Sequence, residues 1–193
     1  MAAAAALRLA GALVLFQSSL AVAAPKPADS PPPTYESAAR SAPVPSHLLY
    51  AIALQESGLA YRGRFVPWPW TLNVAGTPMR FKRQGAACAA LRRALQSTAA
   101  TRIDVGLAQI NVGYHRHRYR DACDLLNPYR NLAIAAEILR EQYRPDEPWL
   151  MAAGRYHRPA GGALATRYRN AVGQHLSRLQ RPPSSLALSQ PSR

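Results

Sequence analysis

Apolar residues recur at helical spacing through Ser46-His-Leu-Leu-Tyr-Ala-Ile-Ala-Leu-Gln-Glu-Ser-Gly58. Leu49, Ile52, Ala53 and Glu56 share one face of the helix this predicts. Pro45 and Ser46 supply start signals, and Gly58 predicts a left-handed stop. The face is apolar until Glu56, one turn before the end. A carboxyl carried there loses water, which favours its protonated form. Such a group can act as a general acid near neutral pH. The plainer alternative is a solvated boundary residue at the end of an amphipathic helix.

The pattern then changes. Between Tyr61 and Phe81 the prolines and glycines exclude a long helix. Trp70–Val74 and Met79–Phe81, around Ala75-Gly76-Thr77-Pro78, read as a short β-hairpin. Trp68 and Trp70 read as core residues or as a stacking platform for sugar. Ala86–Gln96 predicts a short helix with Cys88, Leu91 and Leu95 inward. The stretch Thr101–Asn111 carries little charge. Its Gly106, Gln109 and Asn111 suit a cleft wall, where amides orient hydroxyl and N-acetyl groups, or an ordinary turn. Asn127 and Pro128 start another helix, with Asn as cap and Pro in the first position. It runs to about Tyr143, with Leu132, Ala135, Ala136 and Leu139 on one face. Trp149–Tyr156 and Leu164–Leu179 complete the helical pattern, and Tyr168 is inward on the last.

The chain of 193 residues is long enough for one domain with a real core. Ten of its 17 prolines lie near the two ends. Residues 1–24 resemble an export signal: Arg8, the apolar run Leu9–Phe16, then the small-residue site Ala21-Val-Ala-Ala24. Residues 25–43 read as a Pro-rich linker, the folded domain as 44–180, and residues 181–193 as a disordered tail. These signals predict an exported, periplasmic, monomeric protein with no membrane span after cleavage.

The formal charge of +14 suggests anionic partners. Nucleic acid is disfavoured by export and by the lack of a recognised motif. Membrane surfaces and acidic wall polymers fit better. Cys88 and Cys123 are an even pair in an exported chain, which favours a disulfide over two free thiols. His115 and His117 lack a third ligand at metal-site spacing, so neither metal nor cofactor is expected.

Four pieces stand in a fixed order: Leu54-Gln-Glu-Ser-Gly58, Gly106-Leu-Ala-Gln-Ile-Asn111, Asn127-Pro-Tyr-Arg-Asn-Leu132 and Tyr156-His-Arg-Pro-Ala-Gly161. This series resembles the soluble lytic transglycosylase domain, a lysozyme-like family that cleaves peptidoglycan. The resemblance covers Val44–Leu179. The Trp-Pro-Trp-Thr-Leu-Asn insert is similar to the members associated with conjugation and type IV secretion. Two departures stand out. Ala108 replaces the family's Met, and the Tyr-Asn-Ala-Gly motif is expanded after Tyr156.

The resemblance implies an α+β, mainly helical, lysozyme-like fold with a short β-hairpin insert. It implies Glu56 and Tyr156 as catalytic residues. Ser57, Gly106, Gln109, Asn111 and Asn131 would line or support the substrate cleft. The implied partners are peptidoglycan strands and components of a transfer apparatus. Glycoside cleavage ordinarily uses two carboxylates, and only Asp104 lies inside a motif as a second one. A single acid suffices if the substrate's N-acetyl group takes the second role. A muramidase using Asp104, and a wall-binding scaffold without activity, are the alternatives.

Overall fold

The computed structural model describes residues 31–180. The expected signal segment, the first part of the linker (residues 25–30) and the tail lie outside the described residues. The architecture is α+β and mainly helical. Helices α1 (Pro33–Ser41), α2 (Ser46–Ser57), α3 (Gln84–Ser97), α4 (Pro128–Glu141), α5 (Trp149–His157) and α6 (Gly162–Gln180) surround two small antiparallel sheets. Strands β1 (Gly58–Tyr61) and β2 (Arg64–Pro67) form one hairpin. Strands β3 (Thr71–Val74), β4 (Thr77–Arg80), β5 (Ile103–Val105) and β6 (Ile110–Asn111) form the second sheet, in the order β4-β3-β5-β6.

Helix α2 is the centre of the molecule. It contacts α1, α4, α5 and α6. Leu48 to Leu54 are buried without a break, so the helix has no polar stripe along its middle. A helix that is apolar all round belongs inside a core. Each buried Leu or Ile there contributes about 1.5–3 kcal/mol relative to exposure. The expected single apolar face is therefore too narrow a description. Gly58 does end the helix, but with φ −52° and ψ 136°, not in the left-handed region. Close approach explains the glycine. A Cβ there would sit 2.2 Å from the Phe65 ring and 2.3 Å from the Leu54 carbonyl oxygen.

The expected linker fails over Pro33–Ser41. These residues form α1, which packs on α2 and α4. Pro33 is at the start of the helix, where its missing N–H costs nothing. Tyr35, Ala38 and Ala39 are buried, and the Tyr35 ring meets Tyr50 edge-on at 4.8 Å. The folded unit thus extends N-terminal of Val44. Two alanines and one tyrosine outweigh the neighbouring prolines, which the composition overemphasised.

The β3–β4 hairpin forms as expected, tightened to the two-residue turn Ala75–Gly76 with φ of 52° and 91°. Asn73 Oδ1 accepts from the Gly76 N–H at 2.9 Å. The β1–β2 hairpin was not anticipated. Its turn is Arg62–Gly63, with φ of 49° and 74°. Both are turns whose twist matches that of the paired strands. Asn127 caps α4 by accepting from the N–H groups of Tyr129 and Arg130. Cys88 on α3 is bonded to Cys123 in the 3₁₀ segment Ala122–Leu126, with Cα atoms 5.3 Å apart. Among the described residues no helix is long and apolar enough to cross a membrane.

Candidate active site

Glu56 occupies the last turn of α2 and is half-buried at the edge of a cleft of about 670 Å³. Asn73, Asp104, Gln109, Asn111 and Tyr156 line the same cleft. The Tyr168 hydroxyl, from α6, donates to Glu56 Oε1 at 2.7 Å. The Glu56 pKa is raised from 4.5 to about 7. Burial is the main cause; the Tyr168 hydrogen bond opposes it and the Asp104 charge adds to it. The carboxyl is therefore poised to hold and release a proton near neutral pH.

Asp104 lies on β5, paired across the sheet with Asn73 on one side and Asn111 on the other. Asn111 Nδ2 donates to Asp104 Oδ1 at 2.8 Å. Burial raises the Asp104 pKa; the Asn111 hydrogen bond and the His157 charge partly offset this. The two carboxyls thus share a cleft but have different surroundings. Glu56 is held by a buried phenol, whereas Asp104 is tied to an amide within the sheet.

The turn joining β5 to β6 forms the wall beside the acid. Gly106 has φ 86°, and a Cβ there would come within 2.3 Å of Asn131 Nδ2. Asn131 Nδ2 donates to the carbonyls of Val105 and Leu125, both at 2.9 Å. Its Oδ1 accepts from the Ala108 N–H at 2.9 Å. All of this is sealed, since Asn131 is only 1% exposed. Ser57 is 0% exposed, with its hydroxyl 2.7 Å from the Leu107 carbonyl oxygen and 3.1 Å from that of Ala53. Ser57 therefore ties the end of the acid-bearing helix to the turn.

These contacts correct the expected roles. Ser57, Gly106 and Asn131 shape the cleft from behind and cannot touch a substrate. Asn111 faces the cleft, but its amide is spent on Asp104 and the Thr101 carbonyl, while its oxygen accepts from Gly113 and Tyr114. Gln109 also lines the cleft. Its backbone is left-handed, with φ 46°, and its amide donates to the Gly106 carbonyl at 2.8 Å. A non-glycine residue held there stores strain, as residues around functional clefts often do.

Tyr156 reaches the cleft from α5, and its hydroxyl donates to the Ala108 carbonyl at 2.8 Å. Burial first, then the charges of Glu56 and Asp104, push its pKa well above the ordinary value. It remains a neutral phenol at the rim. The tyrosine bonded to the acid is Tyr168, which sequence reasoning placed only in the core. Its sole signal was its size and polarity, since a buried tyrosine hydroxyl requires a partner. His157 stacks on the Tyr168 ring at 4.5 Å and 2°, holding it in place. Neither Trp68 nor Trp70 lines this cleft. Trp68 Nε1 donates to the Phe81 carbonyl, and Trp70 packs against the core.

The arrangement can deliver a proton to a substrate oxygen and take one back. No protein-family model, curated protein or solved structure matches the chain.

Proposed function

We propose that the protein is a lytic transglycosylase with a lysozyme-like fold, cleaving the β-1,4 bond between N-acetylmuramic acid and N-acetylglucosamine in peptidoglycan. The observation that carries this reading is the carboxyl of Glu56, held by Tyr168 at a pKa of about 7 in a polar cleft. Glu56 protonates the glycosidic oxygen as the bond to C1 breaks. The substrate's own N-acetyl carbonyl stabilises the positive charge developing at C1. The Glu56 carboxylate then removes the proton of the muramyl 6-hydroxyl, whose oxygen bonds to C1 and closes a 1,6-anhydro ring. The acid regains its proton, so the cycle consumes no water. Tyr156 and Gln109 line the path of the saccharide.

A muramidase is the second reading, favoured by Asp104 in the same cleft. There Asp104 would activate water, and the product would carry a reducing end. The export-like segment Met1–Ala24 and the Trp-Pro-Trp insert support a periplasmic enzyme that opens the wall for a conjugation or secretion apparatus. That role fails if deleting the gene leaves apparatus assembly unchanged.

The test is digestion of peptidoglycan by the mature chain and by Glu56→Gln, with mass spectrometry of the released muropeptides. Anhydromuramyl ends from wild type alone are the expected result. Reducing ends that vanish in Asp104→Asn would establish the muramidase instead. Wall binding without release would leave a non-catalytic scaffold.

A further inference from the structure

We propose that Asp104 touches the substrate: it accepts a hydrogen bond from the N–H of the muramyl acetamide and so aims that group's carbonyl oxygen at C1. The proposal rests on the transglycosylase reading, which leaves Asp104 without a task. The strand aims the side chain. Ile103 and Val105 of β5 are sealed in the core, and side chains alternate along a strand. Asp104 between them therefore turns the other way, into the cleft. Asn111 fixes the carboxylate, with Nδ2 donating to Asp104 Oδ1 at 2.8 Å. Asn111 is itself held by the Thr101 carbonyl and by the N–H groups of Gly113 and Tyr114.

Among the described residues no group donates a hydrogen bond to Asp104 Oδ2, and Asp104 forms no ion pair. None of the described residues lining the cleft is Lys or Arg. The Tyr156 hydroxyl is engaged by the Ala108 carbonyl. Burial pushes His157 below its ordinary value, so it carries little charge near pH 7. The two carboxyls also divide. The Asp104 charge helps to raise Glu56, whereas Asp104 itself is raised by burial and held down by Asn111 and His157. Asp104 is thus the anion beside a protonated Glu56.

An ionised carboxylate only accepts, so the substrate must supply a donor. In a peptidoglycan strand the muramyl O1 and O4 are in glycosidic bonds, and O3 carries the lactyl ether. The donors left on the ring are the 6-hydroxyl and the acetamide N–H. Glu56 takes the 6-hydroxyl proton, which leaves the N–H for Asp104. As Glu56 protonates the leaving oxygen and its bond to C1 breaks, the acetamide carbonyl oxygen bonds to C1. The resulting oxazolinium ring carries positive charge at the N–H that Asp104 holds, so this hydrogen bond strengthens as the charge develops. The 6-oxygen then bonds to C1, the carbonyl oxygen departs, and Asp104 emerges unchanged.

The test crosses the residue with the group it is said to hold. Wild type and Asp104→Asn are assayed on a GlcNAc–MurNAc–GlcNAc–MurNAc tetrasaccharide. Both are also assayed on the same compound N-methylated at the internal muramyl acetamide, which removes the N–H and keeps the carbonyl. Asp104→Asn puts a donor where Oδ2 stood. It should lower kcat on the parent compound about a hundredfold, with KM changed less than about threefold. N-methylation should slow the wild type comparably and the variant by less than about threefold, because the contact is already gone. An equal fold loss in both proteins, or a wild-type rate from Asp104→Asn, overturns the proposal. Should the variant not fold, the wild type alone decides, since an undiminished rate on the methylated compound overturns it too. The end group of the products tests the underlying reading separately. Anhydro ends from wild type keep that reading even where the crossed comparison fails, whereas reducing ends overturn both.

Discussion

The Tyr168 hydroxyl donates to Glu56 Oε1 at 2.7 Å across 112 residues of sequence. That one bond joins the central helix to the last helix at the point where chemistry is proposed. It also works against burial, holding the pKa of the carboxyl lower than desolvation alone would. Tyr168→Phe removes it with little change in volume. The Glu56 pKa should then rise, and the alkaline limb of the pH–rate profile should move to higher pH. The maximal rate should fall about tenfold to a hundredfold through lost positioning. A purely structural role would lower stability and leave the limb in place.

Glu56 also makes stability depend on pH. Its folded pKa of about 7 lies above the ordinary 4.5, so between these values the folded state binds more protons than the unfolded state. Stability therefore declines as pH rises through this window. The destabilisation is absent below pH 4.5 and fully present above the folded pKa. Glu56→Gln should remove it, stabilising the protein by about 2–3 kcal/mol at pH 8 and by little at pH 4. Urea unfolding at the two pH values measures the difference.

Asn131 makes three buried hydrogen bonds to the backbone on either side of it. Asn131→Ala leaves two carbonyls and one N–H without partners, at a cost of about 3–5 kcal/mol. Asn131→Asp should not rescue it, because a carboxylate would face the two carbonyl oxygens that the amide now serves. Denaturant titration reports the loss, and activity at low temperature separates it from any direct role in catalysis.

The Cys88–Cys123 bond closes a loop between residues 35 apart in sequence. Replacing both by Ser should lower stability by about 3–4 kcal/mol, mainly by freeing the unfolded chain. Unfolding the native protein with and without reductant should give the same difference. Equal midpoints would show that the loop is already restrained without the bond.

The helices α2 to α6 were legible because apolar periodicity and caps act locally. Asn127–Pro128 is the clearest case, since two adjacent residues specify the start of α4. Glu56 was legible because a carboxyl closing an apolar helix conflicts with its surroundings. Helix α1 was not, because the flanking prolines masked a short run whose stability comes from packing on α4. The β1–β2 hairpin was hidden for a related reason. Its Arg-Gly turn lacks the usual Asn or Asp, and the strands are only four residues each. The functions of Asn131 and Tyr168 depend on partners distant in sequence, which no local pattern carries.

Helix α2 buries eight of its twelve residues and contacts four other helices. It has no freedom to slide or turn, so the whole interior aims one carboxyl. For an evolving lineage this makes losing the proposed chemistry easy and relocating it hard. A single codon change at Glu56 would leave an intact shell with a vacant cleft. Moving the acid by one helical turn would require rebuilding the interior around it.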